Sequence, residues 1–145
     1  MLALIQRVTS ASVSIGGSVA GSISGGLLLL LGIEKSDTEQ QADRLLQKVL
    51  AYRVFADAEG KMNLSLRDVQ GGLLVVSQFT LAANTDSGLR PSFSSAKAPA
   101  DAEQLYNYFL KAARSSHARV AAGRFGADMQ VALVNDGPVT FLLKS

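Results

Sequence analysis

The sequence predicts a single α+β domain over residues 1–145, in which a mostly antiparallel, barrel-like β-sheet packs with two main helices. Three observations predict this fold class. About eight or nine apolar stretches have the length of strands and are separated by turn residues such as paired glycines. Only two stretches carry apolar residues at helical spacing. The length of 145 residues suits one hydrophobic core.

The first part of the chain is predicted to form strands. Leu2–Val8 carries apolar residues along one face and is the first of them. The pair Gly16-Gly17, between Ala11–Ile15 and Ser18–Ser24, is typical of a two-residue β-hairpin. Leu27–Leu31 is an unbroken apolar run, which favours a strand covered on both faces.

The first predicted helix follows a capping-box pattern over Ser36–Glu39, with a hydroxyl at the cap and a carboxylate three residues later. Apolar residues then recur at helical spacing, so we expect roughly four or five turns with one face on a sheet. The residues at this spacing are Ala42, Leu45, Leu46, Val49, Leu50 and Arg53.

The middle of the chain is predicted to form two strands and a long loop. Met62–Leu66 follows a turn and predicts a short strand. The pair Gly71-Gly72 precedes Leu73–Val76, which is apolar enough for a buried strand. The segment Ala82–Ala98 is rich in Ser, Asn, Gly and Pro, and a loop of this length in a compact domain is often functional.

Pro99 is predicted to begin the second helix, because proline suits the first helical position, although Ala98 is a poor cap. Strands are then expected near Val120, over Ala127–Val134 and over Val139–Leu143. The apolar face of this second helix comprises Ala102, Leu105, Tyr106, Phe109, Leu110 and Ala113.

The composition narrows the class of protein. Hydrophobic residues make up 48% and charged residues 18%, and the mean hydropathy of +0.21 favours a dimer or higher oligomer over a monomer. No apolar run is long enough to cross a bilayer and no signal-peptide pattern is present, so we expect a cytoplasmic protein without membrane contact. The net charge of +2 permits contact with nucleic acid without establishing it.

The sequence offers little support for catalysis by side chains. Cysteine is absent and His117 is the only histidine, which is expected to lie exposed near a helix C-terminus. No carboxylate pair, phosphate-binding loop or nucleophile elbow is present, and we expect neither a metal nor a cofactor. Thr80 is the one hydroxyl that suits a nucleophile, but no base lies near it in sequence. The alternative is a threonine at a strand end whose hydroxyl forms hydrogen bonds with nearby backbone groups.

Two segments combine a guanidinium with an aromatic ring, Arg90–Phe93 and Gly123–Phe125. Such pairs can stack a nucleobase and neutralise a phosphate. An exposed arginine beside a core phenylalanine is the simpler interpretation of both.

Two separated motifs indicate a site built largely from main chain. Pro138 follows Gly137 between two apolar runs and, because proline lacks an N–H and has a fixed φ, it is expected at a strand end or turn. The other motif is a polar break after the strand Leu73–Val76, and it consists of Ser77, Gln78, Phe79, Thr80 and Leu81.

In these two motifs the chain closely resembles the D-aminoacyl-tRNA deacylases, a family that removes mischarged D-amino acids from tRNA. The resemblance runs essentially from end to end and includes Gln6–Val8, Gly60–Leu64, Arg90–Phe93 and Gly123–Phe125. It implies a homodimer of β-barrel-like subunits that binds D-aminoacyl-tRNA and hydrolyses the ester to its terminal ribose.

The resemblance also implies roles for individual residues. The catalytic group would be Ser77, Gln78, Phe79 and Thr80, with backbone N–H groups near Phe79 and Thr80 stabilising the oxyanion and a substrate ribose hydroxyl assisting. Gly137 and Pro138 would enter the partner's pocket through a cis peptide whose carbonyls exclude an L-side chain. Glycine has no such side chain, so glycyl-tRNA should also be a substrate. The adenosine-binding residues would be Phe125, Met129, Asn135 and Val139.

Other classes of function stay open on the sequence. One is a non-catalytic barrel that holds the acceptor end of tRNA, which turnover of D-aminoacyl-tRNA would exclude. Another is an esterase or amidase for small D-amino acid derivatives, which a comparison of free and tRNA-linked esters would distinguish. A homodimer with a purely structural role is the third.

Overall fold

A computed structural model describes all residues, Met1–Ser145. Six strands form the main sheet: β1 (Leu2–Ile15), β2 (Ser18–Ile23), β3 (Gly26–Gly32), β6 (Gly72–Ser77), β7 (Val120–Ala122) and β8 (Gln130–Lys144). A separate hairpin consists of β4 (Phe55–Ala56) and β5 (Met62–Leu64). The helices are α1 (Glu39–Ala51), α2 (Leu66–Val69), α3 (Pro99–Ser116) and a 3-10 helix, Phe79–Ala82.

The main sheet is mixed and nearly closes into a barrel. Neighbouring strands follow the order β2-β1-β3-β6-β7, and β8 also pairs with β1. The partners of β1 are all antiparallel, whereas β6 runs parallel to both β3 and β7. At the closing seam, a Cβ on Gly21 would lie 2.9 Å from the carbonyl oxygen of Ala122, so glycine permits the close approach of β2 to β7. The predicted α+β class is therefore confirmed, with two parallel pairings that were not expected.

β1 is one long strand where two were predicted. Leu2–Val8 pairs with β3, Ala11–Ile15 pairs with β2, and β8 runs along the opposite edge of both segments. The predicted Gly16-Gly17 hairpin is confirmed, since Ile15 pairs with Ser18. A continuous partner on one edge keeps the strand intact while its neighbour on the other edge changes.

The start of α1 differs from the prediction. Thr38, rather than Ser36, is the cap, and its N–H donates to Oε1 of Gln41 at 3.0 Å. Asp37 is buried instead, where its carboxylate accepts from the Met1 amine at 2.6 Å. A buried carboxylate needs such partners, and this anchors the chain just before the helix. The helix ends at Ala51, so the predicted extension to Arg53 is wrong.

The predicted helical faces form the core. The five apolar residues of α1 and the six of α3 are buried against one face of the sheet. A smaller cluster, which includes Leu28, Leu74 and Val76, fills the other face. Because β3 and β6 are covered on both faces, the expectation from Leu27–Leu31 is confirmed. No helix combines the length and the apolar character that crossing a membrane requires.

Candidate active site

A cavity of about 710 Å³ opens where β3 and β6 end. One wall carries Ser77, Gln78 and Phe79, which directly follow or end β6. A second wall carries Phe125 and Met129, from the segment that precedes β8. Most of the remaining lining is apolar, so the cavity offers a dry surface with few side-chain charges.

Main-chain geometry defines the first wall. The N–H of Gln78 donates to the carbonyl of Leu31 at 2.8 Å, which extends the parallel ladder one residue past β6. The 3-10 helix then begins at Phe79, and the N–H of Leu81 donates to the carbonyl of Gln78 at 3.1 Å. The N–H groups of Phe79 and Thr80 come before Leu81, the first residue whose N–H donates within that helix, so the helix leaves both available as donors.

The side chain of Thr80 lacks the surroundings of an activated nucleophile. It is exposed, lies outside the cavity lining, and its hydroxyl accepts a hydrogen bond from the amide of Gln78. A nucleophilic threonine needs a base within hydrogen-bonding distance, and Thr80 has no hydrogen bond to one.

His117 lies far from the cavity. Its Nε2 donates to the carbonyl of Gly71 at 2.7 Å, and the ring is half-buried, which corrects the prediction of an exposed histidine. Gly71 precedes β6 whereas Ser77 ends it, and six residues of extended chain span about 20 Å. His117 therefore links the C-terminal end of α3 to the start of β6 by a hydrogen bond, and it is remote from Ser77.

Tyr106 positions the second wall, a role that the sequence did not predict. Its hydroxyl approaches the carbonyls of Val75 and Gly123 at 3.2 and 3.1 Å, and its ring centroid lies 5.9 Å from that of Phe125. Burial raises the pKa of Tyr106 to about 12, so the hydroxyl stays a donor even above pH 10.0, where an ordinary tyrosine ionises. The one available signal was a tyrosine in an otherwise apolar stripe, because a buried hydroxyl needs a partner.

The Gly137–Pro138 segment corrects the expected turn or strand end. β8 continues through it, with Asn135 paired to Val8 and Thr140 paired to Gln6. Residues 136–139 therefore face the single residue Arg7 and bulge out of the strand, as proline inside a sheet requires. The Gly137–Pro138 peptide bond is cis. We call residues 136–139 the Gly-Pro loop.

Side chains hold the Gly-Pro loop in place. Oδ1 of Asn135 accepts from the N–H of Val139 at 2.7 Å, and Nδ2 donates to the carbonyl of Val139 at 3.2 Å. Nε of Arg7 donates to the carbonyl of Asp136 at 2.8 Å, while Nη1 donates to the carbonyl of Val54 at 2.6 Å. Arg7 was not predicted as a site residue, and its contact with the loop becomes visible only through the strand register.

Within one chain the two motifs do not meet. Gly137 and Pro138 are exposed and line no part of the cavity, and neither do Asn135 and Val139. Val139 is buried in the core, so the four predicted adenosine residues separate into Phe125 and Met129 at the cavity and two residues at the loop. Large apolar side chains stay exposed on both sides of the loop: Leu133, Val134, Phe141 and Leu142.

The sequence matches one family model almost completely. Residues 4–144 match the model described as D-Tyr-tRNA(Tyr) deacylase. A D-aminoacyl-tRNA deacylase of Cellvibrio japonicus is 65% identical over 144 residues, which is 99% of each chain. One of Pseudomonas aeruginosa is 64% identical over 145 residues, with both chains fully covered.

Two solved structures share the fold. A protein described as c-Myc DNA unwinding element binding protein superimposes with a TM-score of 0.96 at 42% identity, covering 100% of this chain and 99% of the other. A probable eukaryotic D-amino acid tRNA deacylase superimposes with a TM-score of 0.86 at 15% identity, covering 99% and 98%. At that identity the second likeness concerns the fold alone.

Proposed function

The chain belongs to the D-Tyr-tRNA(Tyr) deacylase family, and we propose that it hydrolyses the ester bond of D-aminoacyl-tRNA to release the D-amino acid and the tRNA. The observation that carries this proposal is a largely apolar and aromatic cavity lined by Ser77, Gln78 and Phe79, at the start of a 3-10 helix whose first two N–H groups have no acceptor within the helix. A substrate of this kind is RNA, so we expect the protein to work in the cytoplasm.

Catalysis would rest on the main chain. A water molecule attacks the ester carbonyl, and the N–H groups of Phe79 and Thr80 donate to the oxyanion that develops. These groups support the proposal because the 3-10 helix leaves them without an internal acceptor. Ser77 and Gln78 shape the wall beside them, while Phe125 and Met129 would contact the terminal adenosine.

The substrate would supply the acid–base group that the chain lacks. The exposed Thr80 hydroxyl already binds Gln78, and His117 is engaged at the far end of β6. A ribose hydroxyl next to the ester can take this role by hydrogen bonding to the attacking water. A tRNA with 2′-deoxyadenosine at its end should therefore be hydrolysed much more slowly, and an unchanged rate would exclude assistance by the substrate.

Chiral selectivity would come from the Gly-Pro loop. Its carbonyl groups occupy the position where an L-side chain would project, so the L-ester is rejected by a clash. Tenfold selectivity requires only about 1.4 kcal/mol, which a clash with held backbone exceeds. Glycyl-tRNA has no side chain to reject and should be a substrate. We assign Asn135 and Val139 to holding this loop, since one chain keeps both away from the cavity.

A homodimer would bring the loop of one subunit to the cavity of the other. The loop is exposed, lies outside its own cavity and is flanked by exposed Leu133, Val134, Phe141 and Leu142, which a partner surface would cover. The isologous contact of a twofold dimer can join two such surfaces and complete both sites at once.

Complementation tests the shared site. Gly137→Val displaces the loop and Ala127→Trp fills the cavity, so each variant alone should lose nearly all activity. Coexpressed in equal amounts they should regain about a quarter of wild-type activity, because half of the dimers are mixed and each has one intact site. If each active site were formed by a single chain, coexpression would restore no activity.

The proposed activity itself is tested by release of amino acid from purified D-, L- and glycyl-tRNA. We expect hydrolysis of the D- and glycyl forms and little of the L-form. Binding without turnover would favour an RNA-binding module, and equal rates on free D-amino acid esters would favour a small-molecule esterase. Duplex DNA as a competitor controls for DNA binding, which the name of the structural relative at 42% identity attributes to that protein.

A further inference from the structure

Two phenylalanine rings meet at the mouth of the cavity. Phe79 is 59% exposed and Phe93 is 42% exposed, and both line the cavity. Their ring centroids lie 5.1 Å apart with an interplanar angle of 49°. Phenylalanines of the core, such as Phe109, are completely buried. The pair Phe79 and Phe93 instead exposes to solvent apolar surface that a folded monomer would normally bury.

The backbone beneath each ring is held in place. Phe79 begins the 3-10 helix directly after the ladder bond from Gln78 to Leu31. Phe93 follows Ser92, which exchanges two backbone hydrogen bonds with Asn84 at 2.8 and 3.0 Å. The carbonyl of Phe93 also accepts from the N–H of Ala96 at 3.1 Å. The rings therefore form a prepared surface at the ends of ordered segments.

Cationic side chains accompany this surface. Lys97 lines the same cavity, and its Nζ donates to the carbonyl of Lys35 without an ion pair to a carboxylate. Arg90, three residues before Phe93, is exposed and also has no ion pair. Asp128 is the one carboxylate of the cavity lining. Exposed aromatic rings with unpaired cations nearby are the combination that binds single-stranded RNA.

We propose that Phe79 and Phe93 form a stacking surface for the nucleobase that precedes the terminal adenosine of the substrate. This inference rests on the proposed function, in which Phe125 and Met129, which line the same cavity and are less exposed than the two rings, take the adenosine itself. The next nucleotide must leave the cavity at its mouth, where the ring pair lies. Its phosphate then passes the side of the cavity that carries Lys97.

The amino acid side chain is a less suitable occupant of this surface. Rejection of L-residues requires no recognition of a particular D-side chain, and an aromatic surface for that group would favour apolar amino acids. Cations beside the rings contribute to binding only when the occupant carries negative charge, as a nucleotide does.

A comparison of two substrates tests the stacking surface. The D-alanyl ester of adenosine lacks the preceding nucleotide, whereas the D-alanyl ester of the trinucleotide cytidylyl-cytidylyl-adenosine has it. Phe93→Ala should lower kcat/KM for the trinucleotide by about tenfold, in the range measured for loss of base stacking, and change that for the adenosine ester by less than about twofold. Phe93→Trp should retain the difference between the substrates, and Phe93→Leu should lose it, because leucine has no π face.

Leu89→Ala is the matched control, since Leu89 is a fully exposed apolar residue of the same loop that lines no part of the cavity. It should leave the ratio of the two substrates unchanged. An equal loss on both substrates in Phe93→Ala, or no loss on either, would overturn the inference. Binding of the trinucleotide without an attached amino acid, measured by calorimetry, requires no hydrolysis. It therefore separates failure of the stacking surface from failure of the proposed activity.

Discussion

The cavity wall at the end of β6 and the Gly-Pro loop of β8 are both main-chain surfaces, but the fold supports them differently. β6 lies inside the sheet between β3 and β7, and its residues are almost completely buried. β8 pairs only with β1 and is largely exposed. The wall is thus held by ladder bonds and the core on both faces, whereas the loop interrupts its ladder opposite Arg7.

This difference shows what each kind of support requires. On the central strand, the position of the backbone follows from neighbouring strands, and no polar side chain has to hold Ser77–Phe79. On the edge strand, the loop depends on Asn135 and Arg7, whose side chains replace the missing ladder bonds. Side-chain deletions should therefore affect the loop more than the wall.

The largest effect is expected from Gly137→Val. Gly137 has a φ of +153°, and an added Cβ would meet the nitrogen of Val139 at 2.7 Å. The displaced loop should lower kcat/KM on D-aminoacyl-tRNA about 100-fold, the cost of misplacing a site by about 1 Å. Gly16→Val is the control, since Gly16 has a φ of +57° with nothing within 4 Å of its Cβ. If both variants behave alike in the kinetic assay, the loop has no special function.

Asn135→Ala should have the next largest effect. It removes hydrogen bonds to the N–H and carbonyl of Val139, so the loop loosens while its sequence is unchanged. We expect the D/L rate ratio to fall about tenfold and the free energy of unfolding to fall by about 1 kcal/mol. Asn63→Ala, which removes an exposed hydrogen bond to Asp57, should leave the rate ratio unaffected. A preserved ratio in Asn135→Ala would show that the ladder alone holds the loop.

Tyr106→Phe sharpens the comparison from the side of the cavity. The variant keeps the buried ring but leaves the carbonyls of Val75 and Gly123 without the hydroxyl, which should cost about 1–2 kcal/mol of unfolding free energy. KM should rise a few-fold with little change in kcat, because Phe125, which we propose contacts the adenosine, loses its positioning partner. Tyr108 lies on the same helix and its hydroxyl binds Asp43, so Tyr108→Phe is the control and should leave KM unchanged.

The pH dependence of stability identifies the same hydroxyl. Tyr106 has a pKa of about 12 in the folded chain against a usual value of 10.0, so the unfolded chain releases this proton first. Its contribution is complete below pH 10 and is lost as the pH rises towards 12. The free energy of unfolding, followed by denaturant titration, should fall over this window less in Tyr106→Phe than in the wild type. Equal slopes would contradict a buried Tyr106 hydroxyl.

Thr80→Ala is expected to have the smallest effect. The hydroxyl is exposed and its hydrogen bond to Gln78 should contribute about 1 kcal/mol at most, so kcat should fall by less than about fivefold. Single-turnover hydrolysis of D-aminoacyl-tRNA measures this step. Complete loss of hydrolysis in a folded Thr80→Ala protein would support Thr80 as the nucleophile and would contradict catalysis by backbone N–H groups.

Local patterns predicted much of the fold correctly. The buried faces of α1 and α3, the Gly16-Gly17 hairpin and the doubly covered β3 depend on periodicity and turn chemistry, which a short segment contains by itself. The errors lie where a distant partner decides. Asp37 is buried and binds the Met1 amine, and the helix cap is Thr38. β8 continues beyond Pro138 because it pairs with β1 on both sides of the proline.

The sequence by itself determined the α+β class, the two main helices, the two motifs and the resemblance that joins them. Only the tertiary structure decided that Ser77–Phe79 shares a cavity with Phe125 and Met129, and that the Gly-Pro loop of the same chain stays outside it. The hydrogen bonds of Arg7 to the loop and of Tyr106 to Val75 and Gly123 also appeared only there. The physical reason is that hydrogen bonds between residues far apart in the chain depend on strand register and packing, which local sequence patterns do not encode.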